Sequence, residues 1–388
     1  MHTVRVNRKA AGRIASGHPW IFTSDVLDRG DAARGDAVRV IDPAGATLGT
    51  AHFSDSSQIS LRLLSDRAET IDQAFYLRRI RESEEHRRRV VTGSDTYRLV
   101  HGEGDRLPGL IIDRYGSYFT VQTLDQGMDC AKHLIVNCLQ ELFSPQGIVE
   151  RNDSAVRKHE SLPLQSGVLA GEVPASVIVH MNSLQFHADL LHGQKTGIFL
   201  DQRENYVAAA RYARGRALDC FTSTGGFALH LAGHCDSVQA IDSSEASLKT
   251  AELNRAANGI ANIEFRRADV FDLLAGYAAA RREFEIAVLD PPAFAKSRRS
   301  LEGAVRGYKE INRRTLELLS GGGILVTCSC SHHLSEAMLL DIVASASLDA
   351  RRKLRVLERR TQSQDHPILL TVPETMYLKC LVLEVIPN

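Results

Sequence analysis

Two cysteines that alternate with hydroxyl residues offer the most reactive chemistry in this sequence. Cys328 and Cys330 lie in the run Thr327-Cys-Ser-Cys-Ser-His-His, directly after an apolar segment typical of a strand. A thiolate is among the best nucleophiles that a protein has near neutral pH. The pattern predicts a nucleophilic thiol at a strand end. The alternatives are a cysteine packed in the strand and a metal pair, although the C-x-C spacing disfavours a closed zinc site.

A carboxylate followed by two prolines forms the second motif that could do chemistry. Asp290 begins the run Asp290-Pro-Pro-Ala-Phe, which follows an apolar strand. The prolines remove two amide donors and force an extended turn, so Asp290 is expected to be held rigidly beside Phe294. A carboxylate and an aromatic ring suit recognition of a planar base. A simple strand-terminating loop is the alternative.

Positive side chains near these two motifs could lower the pKa of a thiol or bind phosphate. His332 or His333, next to the cysteines, or Lys296 could supply the positive charge that lowers the pKa of a thiol. Lys296, Arg298 and Arg299 follow Asp290, where phosphate contacts would position a substrate.

A small-residue turn after another apolar strand predicts a nucleoside-binding site. The strand ends in Asp219, the turn is closed by Gly225 and Gly226, and a helix is expected to begin with Phe227. Such glycines let the backbone approach a ligand, and the helix amides point at it. About 20 residues later Asp242 ends a second strand, at the offset of an acid that holds a ribose diol. Without Asp242 the glycines would indicate only a structural turn.

Two further groups of polar residues leave their alternatives open. Asp269 can accept a hydrogen bond from an adenine amino group, or it can cap a helix over Val270–Leu274. Lys195 and Arg203 could hold a carboxylate and Asp201 an ammonium group, but a surface loop with a capping Asp201 fits the same spacing.

From about Ser183 onward, strands alternate with helices, which predicts a mostly parallel sheet. Ligands bind beyond the carboxyl ends of such strands. The strands are expected at Ala217–Cys220, Val238–Ile241, Ile263–Arg266, Ile286–Leu289, Gly323–Thr327 and Tyr377–Val385. The residues expected at or just after strand ends are Asp219, Asp242, Asp269, Asp290 and Cys330.

The remainder of the chain is expected to form two smaller domains. For residues 1–68 we expect an RNA-binding β-barrel, with only strands and turns as far as about Leu64. Residues 69–182 predict a middle α+β domain that opens with a helix from about Thr70 to Val91. Residues 183–388 predict the α/β, Rossmann-like domain described above.

Composition limits the function classes. The 388 residues include 44% hydrophobic residues and carry a formal net charge of +0, so a nucleic-acid surface must be a local patch. The N-terminus lacks an apolar signal region and no apolar run approaches the ~20 residues of a membrane span, so we expect a cytoplasmic protein that binds no membrane. Seven scattered cysteines fit reduced thiols.

The motifs together resemble one enzyme family, the bacterial class I S-adenosylmethionine-dependent 23S rRNA methyltransferases of the cytosine-5 type that carry an N-terminal PUA domain. The resemblance spans nearly the whole chain. The segments that carry it are Gly17-His-Pro-Trp-Ile-Phe, Gln194-Lys-Thr-Gly-Ile-Phe-Leu-Asp-Gln-Arg, Asp219-Cys-Phe-Thr-Ser-Thr-Gly-Gly-Phe, Asp290-Pro-Pro-Ala-Phe and Thr327-Cys-Ser-Cys-Ser.

The resemblance implies a fold, a cofactor and a set of binding residues. It implies a Rossmann-like class I methyltransferase domain that binds S-adenosyl-L-methionine, with an N-terminal PUA-like β-barrel and a middle α+β domain. The methionine part of the cofactor would contact the turn, the ribose would contact the second strand end, and Asp269 would bind adenine. The other cofactor-binding residues would be Lys195, Thr196, Asp201, Gln202, Arg203, Asp219, Phe221, Thr222, Gly225, Gly226, Asp242, Ser243 and Asp290.

The resemblance also implies a reaction and a partner. Cys330 would add to a cytosine of 23S rRNA or of a large-subunit precursor, with Cys328 as the second choice of nucleophile and Asp290 facing the base. A homodimer is an expected assembly. Two alternatives stay open: methylation of a base nitrogen, since Asp290-Pro-Pro-Ala-Phe resembles the loop of amino methyltransferases, and a non-catalytic RNA-binding assembly factor.

Overall fold

The structure is a computed structural model of the chain, and it describes residues 1–193, 198–294 and 301–387. The chain divides into two compact units. The first comprises Met1–Met181, Ala188–Leu200 and Gln364–Thr375, and the second comprises Asn182–His187, Asp201–Ser363 and Met376–Asn388. The division into three domains at residues 1–68, 69–182 and 183–388 stays a prediction. No helix among the described residues is long and apolar enough to span a membrane.

The helices and strands follow the sequence in an order that changes from mainly β to alternating β and α. The strands are β1 (Thr3–Val6), β2 (Trp20–Phe22), β3 (Val26–Asp28), β4 (Ala37–Ile41), β5 (Thr47–Phe53), β6 (Ile59–Ser65), β7 (Thr96–His101), β8 (Leu110–Tyr115), β9 (Tyr118–Thr123), β10 (Gly147–Asn152), β11 (Gln165–Gly171), β12 (Val177–Met181), β13 (Leu184–Ala188), β14 (Arg216–Cys220), β15 (Ser237–Asp242), β16 (Ile263–Arg267), β17 (Phe284–Leu289), β18 (Leu319–Ser329), β19 (Leu354–Arg360) and β20 (Lys379–Val385). The α-helices are α1 (Arg8–Ala15), α2 (Gln73–Val90), α3 (Gln126–Cys130), α4 (Lys132–Phe143), α5 (Arg203–Ala210), α6 (Gly226–Ala232), α7 (Glu245–Ala257), α8 (Val270–Ala279), α9 (Leu301–Leu318) and α10 (Glu336–Asp349).

The first unit begins with a mixed sheet in the order β2-β6-β5-β4-β1-β3. Val4 and Val6 of β1 are fully buried while Arg5 between them is exposed, as the alternation of a strand requires. The prediction that this region is all-β is wrong, because α1 lies between β1 and β2. The side chain of Asn7 accepts a hydrogen bond from the Ala10 amide at 2.9 Å and so caps this helix.

A second sheet of the first unit has the order β11-β10-β9-β8-β7 and packs with α2 and α4. Helix α2 confirms the helix predicted near residues 70–91. The side chain of Asp72 caps it by accepting from the Phe75 amide at 3.0 Å. Tyr76 and Ile80 lie one helical turn apart, Phe75 is next to Tyr76, and all three are buried, so this face of α2 belongs to the core.

The second unit contains a sheet whose described strands lie in the order β16-β15-β14-β17-β18-β20-β19. The pairings from β16 to β18 are parallel, and β20 pairs antiparallel with β18 and with β19. This confirms a mostly parallel sheet. Strand β19 and helix α10 were not predicted. Since the parallel strands share one direction, their carboxyl ends meet at one edge, where the candidate site lies.

Candidate cofactor and catalytic site

The loop after β14 folds tightly around the carboxylate of Asp219. This side chain is fully buried, and its Oδ2 atom accepts hydrogen bonds from the Thr222 hydroxyl at 2.6 Å and the Ala228 amide at 2.9 Å. Phe221 and Ser223 adopt positive φ angles of 66° and 50°. Such angles in non-glycine residues cost about 1–3 kcal/mol each and persist only where the surroundings enforce them. Asp219 therefore anchors a strained loop.

The two glycines of this loop are needed for different structural reasons. Gly225 has a φ of 88°, a left-handed conformation that other residues rarely adopt. Helix α6 begins at Gly226, one residue before the predicted start, and a Cβ atom there would lie 2.4 Å from the ring of Tyr206. The small size of Gly226 thus makes room for this tyrosine. Contact of either glycine with a ligand stays a prediction.

The environment of Asp219 favours a positively charged ligand. Burial raises the pKa of Asp219 to about 7 against the effect of its two hydrogen bonds, and the charges of Asp290 and Asp242 contribute to the rise. The Oδ1 atom is buried without a hydrogen-bond partner among the described residues. A cation placed there would pair with this oxygen and reduce the repulsion among the carboxylates.

Asp242 and Ser243 lie at the end of the second parallel strand, β15. The Oδ2 atom of Asp242 accepts from the Ser223 amide at 2.9 Å, and Oδ1 accepts from the Ser244 amide at 2.8 Å. These bonds connect the strained loop to the neighbouring strand. Each carboxylate oxygen has a further lone pair, so Asp242 can still accept a hydrogen bond from a diol.

Asp269 acts as a helix cap in the structure. Its Oδ1 atom accepts from the amide of Phe271 at 2.8 Å and from that of Asp272 at 3.3 Å, at the start of α8. The capping alternative is therefore confirmed for this residue. Binding of adenine by Asp269 stays a prediction.

Asp201, Gln202 and Arg203 are buried at the start of α5 and do not form a surface loop. The Tyr377 hydroxyl donates to Asp201 Oδ2 at 2.8 Å, and the Asn205 amide group donates to Gln202 Oε1 at 2.7 Å. The surface-loop alternative is thus wrong for these three residues, and their contact with a cofactor stays a prediction.

Several predicted residues lie outside the described part of the chain. They are Lys195, Thr196, Lys296, Arg298 and Arg299.

Asp290 lies directly after β17, at the same sheet edge as Asp219. It is half-buried, and its amide donates to the carbonyl oxygen of Cys220 at 3.4 Å. The ring of Phe294 packs on Tyr308, with 4.8 Å between ring centroids. Phe294 also lines an open cavity of about 560 Å³ together with Phe271. The loop therefore combines a carboxylate with an aromatic surface, as predicted from its sequence.

Cys330 lies directly after β18, the strand next to β17. These strands pair in parallel with Leu289 opposite Thr327, so Asp290 and Cys330 leave the sheet at the same edge. Both also act on the buried hydroxyl of Tyr308. Desolvation is the main reason for the raised pKa of Tyr308, and the charges of Cys330 and Asp290 contribute to it. The structure thus places the predicted thiol and carboxylate around one tyrosine.

Cys328 is placed where a nucleophile could not reach a substrate. It lies inside β18, fully buried, and opposite Cys380 of β20. A hydrogen bond with Cys380 and then burial hold the pKa of Cys328 well above its ordinary value. The prediction of Cys328 as the second choice of nucleophile is therefore corrected, because this cysteine packs inside the strand. No cluster of three or more potential metal ligands occurs among the described residues.

Lys379 is a site residue that the sequence reasoning missed. It is 4% exposed, and its ammonium group donates to the carbonyl oxygen of Ser331 at 2.7 Å. The signal was present as a single lysine within the apolar strand Leu378-Lys-Cys-Leu-Val-Leu. A lysine at a buried strand position needs a partner, but only the antiparallel pairing of β20 with β18 shows that this partner is next to Cys330.

The strand order and the acids after successive parallel strands define a Rossmann-like, cofactor-dependent methyltransferase fold. The chain belongs to the S-adenosylmethionine-dependent methyltransferase family, whose profile matches residues 144–382. A PUA-like domain profile matches residues 4–66. These matches confirm the predicted fold class, the enzyme class and S-adenosylmethionine as the cofactor.

Individual relatives agree with this assignment. The chain is 40% identical over 371 residues to ribosomal RNA large subunit methyltransferase I of Klebsiella pneumoniae subsp. pneumoniae, with 93% of each chain covered. A solved structure of a methyltransferase complexed with S-adenosylhomocysteine has a TM-score of 0.85 at 21% identity and covers 99% of this chain and all of its own. A second solved structure, described as a SAM-dependent methyltransferase from Streptococcus mutans, has a TM-score of 0.83 at 21% identity and the same coverage.

The residues at the sheet edge fit the charge of this cofactor. S-adenosylmethionine carries a positive sulfonium and a positive ammonium group, whereas the site presents Asp219, Asp242 and Asp290. The unpartnered Oδ1 atom of Asp219 could accept a hydrogen bond from the ammonium group. These carboxylates could therefore pair with the positively charged groups of the cofactor.

Proposed function

We propose that this enzyme methylates carbon 5 of a cytosine in 23S rRNA through a covalent adduct with Cys330. The supporting observation is that Cys330 and Asp290 end two adjacent parallel strands and both act on Tyr308. The name of the Klebsiella relative, which covers 93% of this chain, supports a large-subunit rRNA substrate.

The proposed reaction begins with addition of the Cys330 thiolate to carbon 6 of the cytosine. The carboxyl group of Asp290 faces the ring-nitrogen and amino edge of the cytosine. One of its oxygens accepts from the amino group, and the other, in its protonated form, donates to the ring nitrogen, which stabilises the negative charge that the addition builds up there. When bound, S-adenosylmethionine supplies an electrophilic methyl group. Carbon 5 would form a bond to this methyl group while the methyl–sulfur bond breaks and S-adenosylhomocysteine leaves. A base then removes the carbon-5 proton, and elimination restores the double bond and releases Cys330 as thiolate.

The base that removes the proton is not Cys328 in this proposal. Its thiol is buried and hydrogen-bonded within the sheet, so it cannot reach carbon 5 of a bound cytosine. We favour a water molecule at the sheet edge as the proton acceptor, because Cys330 is only half-buried.

We also propose which residues bind the cofactor. Phe221 and Thr222 with the neighbouring glycines would contact the methionine part, Asp219 its ammonium group, and Asp242 with Ser243 the ribose. Asp269 can still accept from adenine while it caps α8, since Oδ1 makes both capping bonds and Oδ2 makes neither. Lys195, Thr196, Asp201, Gln202 and Arg203 complete the proposed set.

The RNA must present its target base outside a helix. A base inside a duplex cannot reach Cys330, so the cytosine must be single-stranded or flipped out. Phe294, four residues after Asp290, has its ring centroid 6.2 Å from that of Phe271, and the two rings offer aromatic surface on which a base could stack. We propose that the PUA-like domain contacts rRNA by shape and phosphate groups, that the enzyme acts in the cytoplasm, and that it forms a homodimer.

Methylation of a base nitrogen is the second candidate, because the Asp290-Pro-Pro-Ala-Phe loop suits that chemistry without a thiol. Mass spectrometry of 23S rRNA nucleosides from cells with and without the gene separates the two. We expect one 5-methylcytidine to be lost when the gene is deleted and restored by the wild-type gene. Loss of an N-methylated nucleoside instead would reject carbon-5 chemistry.

A further inference from the structure

Lys379 presents a buried positive charge at the proposed catalytic edge. Its Nζ atom donates to the carbonyl oxygens of Ser331 at 2.7 Å and of Tyr377 at 2.9 Å. Within the described ranges, no carboxylate lies within 4.0 Å of this nitrogen. Burying a cation without a counter-charge is unfavourable, so its retention in an apolar strand suggests a function.

The pairing of β18 with β20 brings Lys379 into contact with the residues before and after Cys330. Lys379 is the register partner of Ser329, the residue before Cys330, and its ammonium binds the carbonyl of Ser331, the residue after it. Lys379 thus contacts the residue before Cys330 through strand pairing and the residue after it through its side chain, and both contacts hold the backbone at Cys330. The same geometry brings its positive charge close to the sulfur.

We propose that Lys379 is a positioning residue that holds the Cys330 turn in place and stabilises the sulfur as a thiolate. The inference rests on the proposed function, in which Cys330 is the nucleophile. A thiolate next to an ammonium group is favoured electrostatically, and this attraction is strong where water is excluded.

The charges around Lys379 agree with this role. Burial lowers the pKa of Lys379 to about 8, and the negative charge of Cys330 acts in the opposite direction and raises it. The ammonium form therefore predominates at neutral pH. Because the interaction between two charged groups is reciprocal, the same ammonium favours the thiolate form of Cys330.

Three titratable groups at this edge, His332, Tyr308 and Asp290, do not supply a positive charge. Desolvation, Lys379 and His333 lower the pKa of His332, so this imidazole is mainly neutral at neutral pH. The raised pKa of Tyr308 keeps its hydroxyl neutral, and Asp290 opposes a thiolate. Among Lys379, His332, Tyr308 and Asp290, the lysine is thus the group whose charge favours a thiolate.

Alkylation of Cys330 by iodoacetamide tests the inference without RNA or cofactor. The full-length enzyme is alkylated across neutral and alkaline pH, and modification of Cys330 is followed by peptide mass spectrometry. We expect Lys379→Met to move the midpoint of the pH dependence upward by about one unit and to slow alkylation about tenfold at neutral pH. Lys379→Arg keeps the charge and should keep the wild-type midpoint.

Tyr308→Phe is the matched control for a purely structural effect. It removes hydrogen bonds to Ser329 and Ser331 but changes no charge, so its midpoint should not rise. The inference is overturned if Lys379→Met leaves the midpoint unchanged or raises it no more than Tyr308→Phe does.

A measurement on the wild-type protein covers the case in which Lys379→Met does not fold. Cys130 is exposed, and desolvation together with Asp129 raises the pKa of its thiol. We expect the alkylation midpoint of Cys330 to lie below that of Cys130, and the reverse order would overturn the inference. Since no methyl transfer is involved, a nucleoside analysis that rejects carbon-5 chemistry would leave this result standing.

Discussion

The hydroxyl of Ser329 donates a hydrogen bond to Oη of Tyr308 at 2.9 Å and joins the end of β18 to α9. The hydroxyl of Ser331 lies 3.3 Å from the same oxygen. Both serines and the tyrosine are buried. Since Cys330 lies between the two serines, Tyr308 fixes the peptide segment that carries the proposed nucleophile.

Removing this hydroxyl should slow methyl transfer more than it weakens folding. In Tyr308→Phe the buried Ser329 hydroxyl loses its acceptor, which should reduce the free energy of unfolding by about 1–2 kcal/mol. We expect kcat to fall about tenfold or more with little change in KM for RNA, because a displaced nucleophile affects the chemical step. Steady-state kinetics and thermal unfolding measure both effects.

Tyr277→Phe provides the control for this prediction. Its hydroxyl donates to Gln239 Oε1 at 2.9 Å, away from Cys330. We expect a small loss of stability with kcat unchanged. Equal effects of both variants on kcat would contradict the role assigned to Tyr308.

Cofactor affinity should depend on the charge of Asp219. Because burial raises the pKa of Asp219 to about 7, this side chain is mostly protonated in the cofactor-free enzyme below that pH. A positively charged ligand favours the ionised form, so affinity for S-adenosylmethionine should fall up to about tenfold per pH unit as the pH drops below 7. Calorimetric titration over a pH series measures this slope, and a flat profile would contradict the assignment.

Asp219→Asn should bind cofactor poorly while it stabilises the cofactor-free protein. The folded-state pKa is raised above 3.8, so the folded form binds the proton more tightly, and stability is lost as pH rises toward about 7. The asparagine does not ionise, so above neutral pH we expect unfolding to require at least ~1 kcal/mol more than in wild type. Asp236→Asn, which changes an exposed acid, should alter neither property. Lower stability of Asp219→Asn in chemical denaturation at alkaline pH would reject this electrostatic account.

Gly226→Ala should destabilise the protein because of Tyr206. The added Cβ would lie 2.4 Å from the tyrosine ring, so the start of α6 or the ring must move, at a cost of about 1–3 kcal/mol. Gly276→Ala lies inside α8 with no atom within 4 Å of the new Cβ, and it should stabilise by up to ~1 kcal/mol. Denaturant unfolding compares the two, and similar midpoints would show that the clash is relieved without cost.

The sequence was sufficient to predict the sheet edge because the signals there are local. Apolar strands followed by acids place Asp219, Asp242 and Asp290 at carboxyl ends whatever the remaining contacts are. For the cysteine motif, a thiol packed in the strand was one of the alternatives, and the structure shows this for Cys328. Which of Cys328 and Cys330 packs depended on where β18 ends, and strand ends are weakly encoded in local sequence.

Other features depend on contacts between distant segments. Lys379 is 49 positions from Cys330 in sequence, and only the antiparallel register of β20 brings it close. Helix α1 was missed because a short helix with Gly12 near its centre has low propensity, and capping by Asn7 compensates. The contact of Gly226 with Tyr206 of α5 also could not be predicted, and contact of this glycine with a ligand stays a prediction.

The central claim, that Cys330 forms a covalent bond to carbon 6 of a cytosine, can be tested by trapping that adduct. With 23S rRNA transcripts containing 5-fluorocytosine, fluorine at carbon 5 cannot leave as a proton does, so the methylated adduct should persist. In the presence of S-adenosylmethionine, wild type and Cys328→Ala should give a denaturant-resistant protein–RNA species, and Cys330→Ala should give none and should not methylate unmodified rRNA. Undiminished methylation of cytosine by a folded Cys330→Ala enzyme would contradict the account.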